Sequence, residues 1–265
     1  MARQFSSSGG YASLAAVPSG DLLTLAAWFL NTGSPSANST IVGLGNNSTS
    51  VEYLGLGLTD TSGSYSFNGF VGNGIEIDTN LSVTLTGNAW HLGVVTFNLS
   101  TTIMVCYTDG GNSTSKNFSA AGPPSSLTTA TLAGLLNGSS TPISRPSTSV
   151  WIGEAAIWTV LLTAKEIADM YYSRRPVGGY RANALWAYWP LRGQRGGIEQ
   201  DLSGFGRHIS LIGNPLVAPH PPVYLPRNPV RMANQALVIP TPPLPRQVLR
   251  PLTPHALYDR WDYFP

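Results

Sequence analysis

Glu76-Ile77-Asp78 places two carboxylates two residues apart. On a strand, residues i and i+2 share a face, so both acids point the same way. Facing carboxylates are the equipment of glycoside hydrolysis, where one attacks or activates and the other protonates the leaving group. The row brings no further acid, because the next positions are Asn80 and Leu81. A solvated edge or turn is the weightier reading of the pair. The chain is therefore read as non-enzymatic, with no catalytic residue assigned. Asp21, Asp60, Asp78 and Asp109 offer hard oxygens of the kind calcium collects. They are scattered in sequence, and turn capping by Asp accounts for them without a metal. Calcium at these four acids is the one ion weighed, and no metal ligand or cofactor is assigned. His91, His208, His220 and His255 show no metal spacing, and the single cysteine, Cys106, adds none. His91 and Cys106 read instead as packed strand residues. A Gly-x-Ser-x-Gly nucleophile elbow is absent. Gly43-Leu44-Gly45 and Gly55-Leu56-Gly57 lack the third glycine and following helix of a phosphate loop, and read as strand-end glycines.

What remains is binding. Trp28, Trp151, Trp158, Trp186 and Trp189 could stack on sugars, but all sit in apolar runs and most of them read as core. The C-terminal set Tyr258, Trp261, Tyr263 and Phe264 differs. It follows Thr253-Pro254, a helix-start signal, and has no local core to enter. Aromatics beside arginine make interface anchors. With Arg260, Arg246 and Arg250, these four form the candidate partner-binding set.

The elements that must position such residues are mostly strands. Short apolar runs recur between turn signals, at 22–30, 41–44, 51–58, 65–71, 81–85, 90–97 and 103–107. Asp109-Gly110-Gly111 marks a tight turn. The stretch 110–149, rich in Ser, Thr, Gly and Pro, reads as a long loop with one short element near 130–136. Strands return at 150–152 and 155–160, then at 185–191 and 209–212. One helix lies between them. Thr163 and Glu166 form a capping box, Ile167, Met170 and Tyr171 give an apolar stripe, and Arg174-Arg175-Pro176 ends it.

Charged residues make up only 11% of the chain, so Ser, Thr, Asn and Gly fill the surface and electrostatic steering is weak. The net charge of +2 hides an asymmetry: residues 151–265 carry twelve basic and seven acidic residues. All but Lys116 and Lys165 of the basic residues are Arg, spread among prolines rather than clustered, which speaks against nucleic acid and for protein interfaces. The run Leu22 to Leu30 is too short to span a membrane, and no apolar stretch follows Met1-Ala2-Arg3. From Pro215 onward lie 13 of the 21 prolines, which excludes helix interior and central strand. Extended or isolated edge pairing is expected there. Residues 226–265 form an arm that could reach on the order of 100 Å and needs a foreign surface to hold one shape.

The segment Val150-Trp151-Ile152-Gly153-Glu154-Ala155-Ala156-Ile157-Trp158, followed by Leu162-Thr163-Ala164-Lys165-Glu166-Ile167 and Met170-Tyr171, resembles the closing strand and helix of concanavalin A-like (laminin G-like) jelly-roll domains. Leu23 to Leu30 with Trp28, Ala89-Trp90-His91-Leu92-Gly93-Val94-Val95, Ile103 to Gly110, and Leu185 to Leu191 with Asp201-Leu202-Ser203-Gly204 agree. The resemblance covers roughly residues 1–225. It implies two stacked antiparallel sheets, and members that bind glycans, proteins or calcium or that hydrolyse glycans. The glucanase members carry Glu-x-Asp-x-Glu or Glu-x-Asp-x-x-Glu, a pattern that Asn80 and Leu81 break here.

The expectation is an all-β chain: a concanavalin A-like antiparallel sandwich at 1–225 with one short helix, and an extended Pro-rich docking arm at 226–265. Its domain type and its opening residues resemble bacteriophage virion proteins. The functional expectation is a non-enzymatic structural virion protein, a capsid decoration or minor capsid component held by its arm and assembled in the host cytoplasm. Other virion subunits, such as a major capsid protein, or further copies of the chain would be its partners. The alternative is a glycan-binding adhesion module on a tail or spike, with a surface glycan as partner. Neither nucleic acid nor membrane is expected.

Overall fold

The computed structural model describes residues 1–6, 10–33, 39–47, 52–61, 64–73, 75–81, 85–136, 138, 149–193 and 196–224. The first strands are β1 (Ala2–Phe5), β2 (Tyr11–Leu14), β3 (Leu22–Asn31), β4 (Ser39–Gly45), β5 (Glu52–Thr61), β6 (Ser64–Asn73) and β7 (Glu76–Leu81). β8 (Trp90–Asn98), β9 (Ile103–Thr108), β10 (Asn112–Asn117), β11 (Thr129–Leu132) and β12 (Val150–Trp158) follow. Helix α1 (Ala164–Ser173) precedes β13 (Leu185–Trp189), β14 (Ile198–Glu199), β15 (Ile209–Ile212) and β16 (Leu216–Ala218). The candidate anchors Arg246, Arg250, Tyr258, Arg260, Trp261, Tyr263 and Phe264 lie outside the described residues, as does the whole arm.

Two antiparallel sheets form a sandwich. The first has the order β10-β9-β8-β3-β12-β1-β16, with β13 also paired to β12. The second runs β14-β15-β2-β11-β4-β5-β6-β7. Phe5, Leu25, Phe29, Leu54, Leu56, Phe67, Phe97 and Trp189 belong to the core between them. Burying each such side chain contributes about 1.5–3 kcal/mol. At one end of the sandwich, Arg3 on β1 donates to Glu199 on β14 at 2.6 Å, a buried ion pair that ties the sheets together.

β3, β8 and β12 read as unbroken apolar runs because the first sheet is covered on both faces. Its outer face carries a second core of Trp28, Leu92, Val94 and Trp158 beneath Ile167 and Met170 of α1. The helix is bounded as expected. The Thr163 hydroxyl accepts from Glu166 N, and the Glu166 carboxylate accepts from Thr163 N at 2.9 Å. The Arg181 guanidinium also donates to Glu166 and, with the Thr163 bonds, outweighs desolvation and holds its carboxyl at about 2. Arg174 ends the helix in the left-handed region, φ 54°. Its guanidinium lies 5.3 Å from the Trp28 ring centroid and 4.8 Å from that of Tyr171.

The two expected strands 150–152 and 155–160 are one strand with an irregularity. β3 follows β12 along one side, but the register shifts between Gly153 and Ala156. On the other side, β1 pairs with Val150–Ile152 and β13 with Ala155–Trp158. Glu154 sits at this handover with φ 57°, and its carboxylate is fully buried. Tyr188 Oη donates to it, Val177 N donates at 3.3 Å, and His220 Nε2 lies 3.3 Å from Oε1. Burial, and then the Glu154 charge, push the Tyr188 phenol well above its ordinary pKa, so it stays protonated and able to donate. His220 lies on a strap that packs Pro221 against Gly153 and ends with Tyr224 N donating to Arg174 O at 2.7 Å.

Two expectations need correction. The stretch 110–149 holds a strand, β10, besides the one short element expected near 130–136, which is β11. β10 reads Asn-Ser-Thr-Ser-Lys-Asn and shows no apolar alternation, because it is an exposed edge held by its ladder with β9. Gly55 and Gly57 are not strand-end glycines but lie in the middle of β5. A Cβ at Gly55 would stand 2.6 Å from both Phe70 Cζ and Val42 O. Most of the five tryptophans are core, as expected: Trp28, Trp158, Trp186 and Trp189 are buried. Trp151 is half-buried against Trp90, with ring centroids 6.4 Å apart.

His91 is packed on β8, as expected, but it is also bonded at both ring nitrogens. Its Nδ1 lies 2.7 Å from Asp109 Oδ2 and its Nε2 3.1 Å from Thr86 O. Both partners only accept, so both nitrogens donate when the ring is an imidazolium. Desolvation opposes that charge, but Asp109 and the Thr86 carbonyl outweigh it and raise the pKa above its ordinary 6.5. A raised folded-state pKa means the pair stabilises fully below about 6.5 and fades as pH rises through the folded value. The melting temperature of the native chain should therefore fall on going from about pH 6 to about pH 8 by more than that of His91→Gln. Equal slopes for the two proteins would refute the assignment. Gly55→Ala should lower stability by about 1–3 kcal/mol, read from the urea midpoint, because neither Phe70 nor the β4 backbone can retreat freely.

Candidate functional site

The outer face of the second sheet is built differently from that of the first. One row of register partners across it reads Ser13, Thr131, Gly43, Gly55, Phe70, Asp78. The next row includes Thr40, Gly57 and Asn68. Small and hydroxylic residues let the Leu135–Leu136 segment and aromatic rings pack directly onto the sheet, and Thr131, Gly43, Gly55, Phe70, Thr40, Gly57 and Asn68 are all buried. The glycines let rings lie flat on it: a Cβ at Gly57 would meet Phe70 Cε1 at 3.2 Å, and one at Gly72 would meet Tyr53 Cζ at 2.2 Å. Tyr53, Phe70 and Leu135 form a small apolar cluster there. The Tyr53 and Phe70 rings are tilted, with centroids 6.0 Å apart.

Beside Phe70 lies a narrow recess with room for about one water, lined by Ser39, Thr40, Leu58, Asn68, Phe70, Glu76 and Leu135. Ser39, Thr40 and Asn68 are each 1% exposed. Ser39 Oγ, Thr40 Oγ1 and Asn68 Oδ1 make no hydrogen bond within the chain. A buried polar atom without a partner costs about 1–3 kcal/mol. Three such atoms border this one recess, next to an aromatic ring. Among the described lining residues, Glu76 is the charged one.

The segment flanking this face is pinned by Glu52 at the start of β5. Its carboxylate accepts from Ser125 N at 3.2 Å, Ser125 Oγ at 3.1 Å, Ser126 N at 2.6 Å and Ser126 Oγ. Desolvation works against the charge, but these bonds together outweigh it and hold the carboxyl below its ordinary 4.5.

The structure places the other sequence candidates as follows. Glu76 lines the recess and Asp78 pairs with Phe70 in the β6–β7 register, while Asn80 pairs with Asn68. Of the calcium candidates, Asp21 accepts from Ser100 Oγ at 2.6 Å. Asp109 accepts from Leu92 N at 3.0 Å and faces His91. Asp60 lies on β5 opposite Tyr65. Among the described residues, no three of His, Cys, Asp and Glu gather as a metal-binding group. Asp201 organises its turn by accepting from Tyr188 N, Ser203 N and Arg207 N. Among the described residues no helix is long and apolar enough to cross a membrane. Sequence reasoning missed Ser39, Thr40, Asn68 and Phe70. The available signal was the pair of Gly-x-Gly alternations on β4 and β5, which marks a face stripped of side chains.

Comparison with known proteins agrees with this architecture. The model of the laminin G-type family described as the concanavalin A-like lectin/glucanases superfamily matches residues 6–168. No curated protein sequence matches the chain. Among solved structures, a candidate carbohydrate-binding protein from Bacteroides ovatus superposes with TM-score 0.55 and 19% identity, covering 82% of this chain and 61% of that one. The chain thus spans about three fifths of that protein's length. The heptameric SAP-like pentraxin of Limulus polyphemus gives TM-score 0.51 and 10% identity, over 64% of this chain and 81% of its own. At such identities the likeness is one of fold. With two antiparallel sheets, one capped helix and a family match over more than half its length, the chain belongs to the concanavalin A-like lectin/glucanase superfamily.

Proposed function

We propose that the sandwich is a non-catalytic carbohydrate-binding module that takes its ligand on the outer face of the second sheet. One observation carries this reading: the Tyr53 and Phe70 rings lie on a glycine-rich face beside a recess edged by the polar side chains of Ser39, Thr40 and Asn68. Sugars supply hydroxyls for such atoms and a C–H face for such a ring. The family and the Bacteroides neighbour's description point the same way. The Glu76-x-Asp78 row lacks a further acid at positions 80 and 81, so the face reads as a binding surface rather than a hydrolytic one. Screening the intact chain on a glycan array should give selective binding. Asn68→Ala, by removing one acceptor, should weaken the best ligand about tenfold without unfolding the chain. A silent array would overturn the reading.

The composition of residues 226–265 supports a second role, compatible with the first. An arm rich in proline, ending in Tyr258, Trp261, Tyr263 and Phe264 beside Arg260, suits docking onto another protein. Arg246 and Arg250 would add bidentate contacts. On this proposal the chain is a component of a phage-like virion, held by its arm to a major capsid or tail subunit and assembled in the host cytoplasm. Linking module and arm would raise avidity through effective concentration. Deleting 226–265 should leave a folded sandwich that no longer incorporates into particles, assayed by co-sedimentation. Normal incorporation of the truncated chain would sink this role.

A further inference from the structure

The contact between Glu154 and His220 works only with a proton in it. His220 Nδ1 lies 2.9 Å from Pro221 O. A carbonyl only accepts, so Nδ1 bears a hydrogen. A neutral ring then presents a bare lone pair at Nε2. That atom stands 3.3 Å from Glu154 Oε1, and both atoms are closed to water and make no hydrogen bond elsewhere among the described residues. An ionised carboxylate facing a lone pair in such a place is repulsive, and no solvent relieves it. The contact is favourable when one proton lies on the pair, either on the ring as an imidazolium or on the carboxyl.

We propose that residues 219–224 form a strap locked by this proton, closed at mildly acidic pH and released as pH rises. A histidine free in water sheds its proton near about 6.5. Below that pH the closed and released straps hold equal numbers of protons. Above it the closed strap holds one more, so closure weakens as pH rises. The other ties are few. Pro221 packs on Gly153, Val223 joins the outer core, and Tyr224 N donates to Arg174 O at 2.7 Å. Pro219, Pro221 and Pro222 bring no N–H to a ladder. The remaining charged or titratable groups near the carboxylate are Tyr188 on β13, Arg192 just after it and the Met1 amino group, with Glu199 beyond. Tyr188 stays protonated and arginine keeps its charge throughout. Burial and then Arg192 lower the Met1 amine from 8.0, against Glu154 and Glu199, which makes it the rival sensor. Release uncovers Gly153 and frees a run that spans on the order of 20 Å when extended, adding that reach to the chain continuing from Tyr224.

The test follows the Tyr224 amide of the intact chain by hydrogen exchange, corrected for the base-catalysed intrinsic rate. Its protection should fall at least about tenfold between about pH 6.5 and 8.5, while the amides of β3 and β8 keep theirs. A flat profile overturns the lock. His220→Gln removes the titrating ring, so the fall should vanish. If it persists at its native size, the Met1 amine or another group is the sensor and the proposal fails. Should His220→Gln loosen the strap at every pH, the native chain still decides, through the His220 ring nitrogen shifts and the Glu154 carboxyl carbon shift at about pH 7. A hydrogen on Nδ1, with a second proton on Nε2 or on the carboxyl, supports the lock. A neutral ring beside an ionised Glu154, or a ring protonated at Nε2 alone, overturns it.

Discussion

A fully buried carboxylate is the constraint around which the first sheet is arranged. Glu154 sits where the edge of β12 passes from β1 to β13, in a backbone conformation that side chains other than glycine rarely adopt. Taking such a charge out of water costs several kcal/mol unless hydrogen bonds replace the solvent. Tyr188 on β13, Val177 N after the helix and His220 on the strap all face it. Tyr188 and Val177 N both bond its Oε2, while His220 Nε2 stands 3.3 Å from Oε1, so one carboxylate draws three stretches of chain together. The strap is then held at its two ends, by Pro221 on Gly153 and by Tyr224 on the last turn of α1.

This arrangement divides labour between the two outer faces. The first sheet is sealed by α1, the strap and an aromatic core, and its strands accordingly carry large apolar residues on both sides. The second sheet has no helix laid over it among the described residues. Glycine, serine and threonine replace bulk there, and the rings that remain lie flat. A face thinned in this way lets Leu135 and the Phe70 ring settle onto the sheet, and the recess lies where they meet Ser39, Thr40 and Asn68. The Arg3–Glu199 pair and the Glu52–Ser126 clamp keep the thin sheet in place at two separate points.

Much of the architecture was legible in the sequence because it rests on burial. β3, β8 and β12 are apolar on both faces, and the Thr163–Glu166 box marks the helix start directly. The strands that escaped notice are polar or very short. β10 pairs through its backbone and exposes nearly all its side chains, so no periodicity betrays it. The recess was hidden for another reason. Ser39, Thr40 and Asn68 are unremarkable in a chain full of such residues, and only the pairing of β4 with β5 and β5 with β6 brings them together. The glycines between them carried the information, but alternating glycines inside a strand look like strand ends until the register is known. The Glu76–Asp78 pair was visible, and the structure places Glu76 at the recess beside Phe70.

The margins of the two sheets have a consequence for crowded conditions. An unpaired strand edge is a template onto which other chains can add. Here one sheet stops at a strand of three residues, β16, and the other at a strand of two, β14. The opposite margins bear Lys116 on β10 and Glu76 and Asp78 on β7. Stubby or charged borders of this kind make poor seeds for fibrils, so the sandwich can be packed at high local density without its sheets zipping into those of its neighbours.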